Sequence, residues 1–408
     1  MIKFALRRNL IYIVQLIIWN AVRKLERTLM SEFLGFDRSA IFTSLMFIGD
    51  IIAGSIIYKY QDRFLSKDDK PQNFMSMMLL HSKSKMIAPD NVYKIYILIF
   101  FSAFFDFIEF TLSVSYLKKF VNLSPSLQSR LSGILTISSA LFFYYVLKLP
   151  IFKHQFFSLL IIVICLIMII VSEFFFQKIN IFLSYGLFIQ ALIIIFAIHF
   201  FNSLLDSIEK YLFEYDFLNP FKTLLWEGIF GLGITLIYYC IENPLNDIIK
   251  FYNPDEPGNF ILLICLLFIY IFLCGGRNVF RIATNKIYSP MAKTLTDYIL
   301  NPIYNIIDFA RGKDFLSEEN LRIPYFIINL IASFIISICG CVYNEFIVLF
   351  CCKLEFDTHD QITRRATLFT KNESESSSEN NSEESEDSNN SGENNNENND
   401  EEKNNSDN

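Results

Sequence analysis

Sixteen consecutive residues, Phe156–Val171, contain no charge and only one polar side chain, Ser158. A run of that kind cannot fold as a one-sided helix on a soluble core, because it has no polar face to give to water. It is close to the roughly 20 apolar residues that a helix needs to cross a bilayer. Nine other segments read the same way, so the candidate spans are 9–22, 40–58, 94–116, 126–147, 153–172, 182–206, 221–241, 259–276, 290–310 and 323–350. The first is short and crowded by Arg7, Arg8, Arg23 and Lys24, but it lacks the small-residue cleavage site of a signal peptide and is kept as a helix. The expected fold is an all-α membrane bundle of ten transmembrane helices. A soluble enzyme is excluded. The composition also argues against a nucleic-acid binder, because the pI is about 5.3 and the basic residues form no dense stripe.

An even number of spans puts both termini on one side. Lys and Arg outside the spans number 20 on the side of the termini and 11 on the other, which places both termini in the cytosol. The loop 242–258, with Glu242, Asp247, Asp255 and Glu256, then faces the lumen or exterior. Residues 353–408 form a separate region. From Lys371 onward there are 13 Asp or Glu, 2 Lys, 9 Ser, 13 Asn and one Gly, and no apolar residue. Such a segment cannot bury a core and is expected to be a disordered, solvated, acidic cytosolic tail. Ser376 and Ser385 suit acid-directed kinases, but the plainer reading is a low-complexity extension.

Cysteine and histidine suggest no chemistry. Cys165, Cys240, Cys265, Cys274, Cys339 and Cys341 lie in or beside apolar spans, where a thiol is a small hydrophobe. Cys351 and Cys352 follow the last span and are candidates for palmitoylation. His81, His154, His199 and His359 are scattered. No cofactor, metal or catalytic residue is expected.

Two stretches 165 residues apart resemble each other. Ser124-Pro-Ser-Leu-Gln-Ser-Arg-Leu-Ser-Gly-Ile-Leu135 opens the fourth span, and Ser289-Pro-Met-Ala-Lys-Thr-Leu-Thr-Asp-Tyr-Ile-Leu300 opens the ninth. Proline suits the first turn of a helix, where its missing N–H costs nothing. An odd number of spans separates the copies, so they enter the membrane from opposite faces. This pattern predicts two inverted five-helix repeats, 1–175 and 176–352, with a site between them. Chance similarity at a common helix start is the alternative.

Several motifs resemble the drug/metabolite transporter superfamily, and within it the member six-like proteins of solute carrier family 35, subfamily F. They are Met46-Phe-Ile-Gly-Asp50, Asp106, the stretch Ser124–Lys148, Glu209-Lys210 through Asn219-Pro220 to Trp226-Glu-Gly-Ile-Phe-Gly231, then Asn278, Lys286, Ser289, Asp297 and Tyr343-Asn344. The family's Arg-Gly in the fourth helix is displaced here, with Arg130 two residues before Ser132-Gly133. Its Arg-Thr after the ninth-helix Asp is Asn301-Pro302, which is expected to kink that helix. The resemblance implies secondary-active transport of a nucleotide sugar or another small metabolite.

A charge at the bilayer centre costs about 2.5–3.5 kcal/mol on insertion scales, so each one needs a partner or a cavity. Asp106, Arg130 and Asp297 are the expected cavity residues, with Lys293 and Asn278 beside them as substrate-binding candidates. Lys293 and Asp297 are four apart and are expected to pair. Asp106 and Glu109 share a helix face, and Glu109, Glu227 and Lys293 also suit internal salt bridges. Asp50, Glu227, Gly275 and Gly276 are the coupling or gating candidates; the two glycines are read as a hinge or a flexible end of the eighth span. Gly228, Gly231 and Gly233 are expected to serve close packing. The function expected is alternating-access transport of a small polar or anionic solute on an endomembrane (Golgi, endosome or lysosome), with a proton as candidate coupling ion. The partners are the lipid bilayer, the solute and, as one assembly, a second copy in a homodimer. The alternative is a non-transporting scaffold or receptor acting through its tail.

Overall fold

The computed structural model describes residues 2–4, 10–36, 38–64, 92–117, 127–146, 148, 151–179, 185–216, 218–242, 257–287, 290–310 and 319–349. The chain divides into two units, 1–354 and 355–408. The tail, Cys351, Cys352, Pro125, Ser289 and most of the loop 242–258 lie outside the described residues, and so do His81 and His359.

The first unit is built of helices: α1 (Leu10–Phe33), α2 (Ser39–Phe64), α3 (Val92–Thr111), α4 (Gly133–Tyr145), α5 (Lys153–Ile179), α6 (Tyr185–Glu214), α7 (Pro220–Glu242), α8 (Pro257–Ile287), α9 (Pro290–Ala310) and α10 (Glu319–Tyr343). A π turn, Leu112–Tyr116, extends α3, and a single helical turn, Leu127–Arg130, precedes α4. A short strand β1 (Ile2–Phe4) pairs antiparallel with β2 (Ile347–Leu349), so the two ends of the unit meet.

Among the described residues, six helices are long and apolar enough to cross a membrane: α2, α5, α6, α7, α8 and α10. The surface agrees. Ile261, Phe268 and Phe272 on α8 and Phe156, Ile164 and Ile167 on α5 are exposed, while Asp50, Arg130, Asp206, Glu209 and Arg281 are buried. A chain that turns its apolar side chains outward and its charges inward is an integral membrane protein. The helices that fall short of the span criterion are informative. α1, α3 and α9 carry charged residues in their middles, and α4 is short because its helix is broken before Gly133.

The most extensive packing joins α2 to α7, and α5 to α10. Around these pairs α8 lies on α2 and α1, α3 lies on α6 and α7, α9 lies on α10 and α1, and α4 lies on α6. The α2–α7 crossing is close because each helix brings a glycine to it, Gly54 on α2 and Gly228 on α7. A Cβ on Gly228 would meet the Ile51 nitrogen at 2.9 Å, and one on Gly54 would meet the Leu225 nitrogen at 2.9 Å. Gly231 is covered by the Phe47 ring, but Gly233 faces open space and packs nothing. At α7 the entry is set by Asn219, whose Oδ1 accepts the N–H groups of Phe221 (2.9 Å) and Lys222 (3.3 Å) just ahead of Pro220 as first helical residue.

Two sequence expectations are corrected here. The first span does not stop near Val22; α1 runs to Phe33, and Arg23, Lys24 and Arg27 lie on it. The loop 277–286 is helical, since α8 continues to Ile287. Arg281 pairs with Glu209 and Glu227, Lys286 donates to the Phe213 carbonyl and Arg277 to Asn278, so charge does not end the helix. Gly275 and Gly276 therefore sit mid-helix rather than at a flexible end. Gly275 packs against the Gly49 backbone and Gly276 against Trp19. α9 also passes through Pro302. The carbonyl of Tyr298, which Pro302 leaves without its helical donor, accepts the Ser337 hydroxyl of α10 at 2.6 Å.

Candidate functional site

A cavity of about 230 Å³ lies where α1, α3, α6, α8 and α9 meet the broken start of α4. On its α1–α8 side stand Arg23, Lys24, Arg27 and Arg277. On α3 stand Asp106 and Glu109, three apart and so on one face. Asp297 lines it from α9, and accepts a hydrogen bond from Asn20 Nδ2 at 3.3 Å.

The broken helix forms one wall. Between Leu131 and Gly133 the backbone tightens, with Ser132 N–H bonded to the Ser129 carbonyl at 3.1 Å. The carbonyls released at the break are taken up by cavity side chains. His199 Nε2 meets the Gln128 carbonyl at 3.2 Å, and Asn301 Nδ2 donates to the Ser129 carbonyl at 2.6 Å. With Nε2 donating, His199 Nδ1 remains an acceptor, and it has no partner among the described residues. Irregular backbone inside a membrane protein is stable only where protein groups or a cavity satisfy it. The π turn of α3 reaches the same wall, where Ser113 Oγ donates to Gln128 Oε1 at 3.0 Å.

The charges around this cavity are not joined to one another. Arg23 donates to Asn20 Oδ1 at 3.4 Å and Arg277 to Asn278 Oδ1 at 2.8 Å, while Arg27 lies over the rings of Phe42 and Phe110, 5.7 Å from each centroid. No carboxylate among the described residues comes within 4.0 Å of these three guanidinium groups. Asp106, only 7% exposed, has no hydrogen-bond partner among the described residues, and neither has Glu109. Lys24 is different, lying over the Tyr304 ring at 3.6 Å and donating to Ser129 Oγ at 3.4 Å.

The chain matches no protein-family model and no curated protein.

Arg130 and Lys293 are not at the cavity. Arg130 is buried between helices, with Nη1 on Glu173 of α5 (3.4 Å) and on the Tyr325 hydroxyl of α10 (2.6 Å), and Nε on Asn305 of α9 (2.9 Å). Tyr325 in turn donates to Glu173. Lys293 pairs with Asp206 of α6 at 2.8 Å rather than with Asp297, because Asn202 and Asp206 occupy the side of α9 that Lys293 faces. Asp206 begins a longer network. Asn285 donates to the Asp206 carbonyl (3.3 Å) and to Glu209 Oε2 (2.7 Å). Arg281 contacts Glu209 at 2.6 Å and Glu227 at 3.5 Å, and Ser102 donates to Glu227 at 2.5 Å. Asn278 donates to Asp50 at 2.7 Å, tying α8 to α2. Of the residues singled out in the sequence, the structure thus brings Asp106, Glu109 and Asp297 to the cavity. It places Asp50, Arg130, Glu227, Asn278 and Lys293 in polar contacts outside the cavity lining.

The cationic side was missed. Its sequence signal is the spacing of Asn20, Arg23, Lys24 and Arg27, which puts four polar residues on one face of a helix.

Proposed function

We propose that the chain is a secondary-active transporter of a small polar or anionic solute, working by alternating access between two inverted five-helix halves, and that all ten helices span the membrane. The observation that carries this reading is the cavity. It is polar, it lies among helices of both halves, and Arg23, Arg27, Arg277, Asp106 and Glu109 line it with no ion pair among them, whereas a scaffold has no use for such a cavity. The packing supports inverted repeats. Moving each helix five positions along the chain carries α3–α6 onto α8–α1, α4–α6 onto α9–α1, α3–α7 onto α8–α2 and α4–α5 onto α9–α10. The pairs α2–α7, α5–α10 and α4–α9 map onto themselves. Such a pattern is what two related halves about a two-fold axis produce, and a broken helix beside the cavity is a recurring feature of transporters so built.

The pairing of β1 with β2 supports termini on one side, which the basic-residue count makes cytosolic. That count is smaller now, because Arg277, Arg281 and Lys286 belong to α8. A proton is the proposed coupling ion. Asp206, Glu209 and Glu227 face two cations, Arg281 and Lys293, so a proton on Glu227 would balance that network. The solute carrier 35-like assignment and an endomembrane location are part of the same proposal, and rest on the sequence motifs. The test is uptake into vesicles holding the purified full chain, with and without an imposed pH gradient, over a panel of nucleotide sugars, amino acids and nucleosides. Saturable accumulation of a member of the panel supports transport. A chain that moves none of them, in either direction, refutes it.

A further inference from the structure

We infer that the cavity takes a small amphoteric solute, its anionic group held by Arg23, Arg27 and Arg277 and its cationic group by Asp106 and Glu109. This rests on the cavity being the solute site of the transport reading, and it names the class of solute.

Elsewhere in the bundle buried opposite charges are in contact, as Lys293–Asp206 at 2.8 Å and Arg281–Glu209 at 2.6 Å. At the cavity the same residue types stand apart. Arg277 lines the same cavity as Asp106 and Glu109, yet no oxygen of either lies within 4.0 Å of it. Arg27 is turned onto aromatic rings and Arg23 onto an amide. Three half-buried guanidinium groups, the half-buried Glu109 and the buried Asp106 thus line one cavity with no ion pair among them, which is costly unless something charged sits between them. A purely anionic solute would answer the arginines and leave Asp106, 7% exposed, facing like charge. A purely cationic one would leave the arginines unanswered. One carrying a carboxylate or phosphate at one end and an ammonium at the other answers both. His199 Nδ1, an acceptor without a protein donor, adds to the side that favours a donor group.

The test uses the purified full chain in lipid nanodiscs. Binding is measured by calorimetry for glycine, 4-aminobutyrate, 6-aminohexanoate and phosphoethanolamine, and for the one-charge analogues acetate, methylamine, butyrate, butylamine, hexanoate, hexylamine, ethanolamine and phosphate. At least one of these zwitterions should bind about tenfold or more tightly than both of its analogues. Arg277→Gln, or Arg23→Gln if the first does not fold, should erase the advantage over the amine. Asp106→Asn should erase the advantage over the anion. Analogues that bind as well as their zwitterion, or a panel in which nothing binds, would overturn the proposal. Zwitterion binding without uptake into vesicles would sink the transport reading and leave this charge assignment standing.

Discussion

The Arg281 network and the cavity are built from the same residue types, within one turn of each other on α8, yet they treat charge in opposite ways. Arg281 is 2% exposed and touches two carboxylates; Arg277, one turn earlier and half-buried, touches none among the described residues. A buried ion pair contributes little net stability over an apolar replacement, but removing one partner leaves an uncompensated charge. The network therefore fixes how α6, α7, α8 and α9 sit together. Arg23, Arg27, Arg277, Asp106 and Glu109 form no ion pair among the described residues, and the proposed solute site would account for their presence inside the bundle.

This difference makes predictions that can break it. The largest effect should come from Arg281→Gln, which leaves Glu209 and Glu227 facing each other and should destabilise the fold by about 3–5 kcal/mol in a reversible unfolding titration in mixed micelles. Gly228→Ala comes next. Its new Cβ meets backbone of α2 at 2.9 Å and cannot be relieved by a rotamer change, so a loss of about 1–3 kcal/mol is expected in the same titration. Ser337→Ala should cost about 1 kcal/mol, because the Tyr298 carbonyl beside Pro302 loses its donor. A loss several times larger for Ser337→Ala than for Arg281→Gln would reverse the order of effects and with it the division between the regions.

How much of this was legible in the sequence depends on whether a contact is local. Six of the ten apolar runs fall on helices long and apolar enough to cross a membrane, because span length is set along one helix. Asp106 and Asp297 stood out as acids in apolar surroundings. Lys293 and Asp297 are four apart and looked like a pair, but Asp206, 87 positions before Lys293, takes the lysine instead. Arg130 looked like a ligand-binding cation, and only the meeting of α5, α9 and α10 reveals Glu173, Tyr325 and Asn305 around it. Arg23 and Arg27 were assigned to a loop because hydropathy falls there, although their helical spacing with Asn20 pointed to a polar face. Hydropathy averages cannot distinguish a helix that ends from one that turns its charges inward.

The measurement that bears most directly on the division is the apparent melting temperature of Asp106→Asn, taken beside wild type and Arg281→Gln in the same nanodiscs. Asparagine keeps the shape and removes a buried charge that no protein group answers, so Asp106→Asn should melt at or above the wild-type temperature, while Arg281→Gln melts well below it. A fall for Asp106→Asn as large as that for Arg281→Gln would show that Asp106 holds the bundle together, and would contradict the assignment of the cavity charges to a solute.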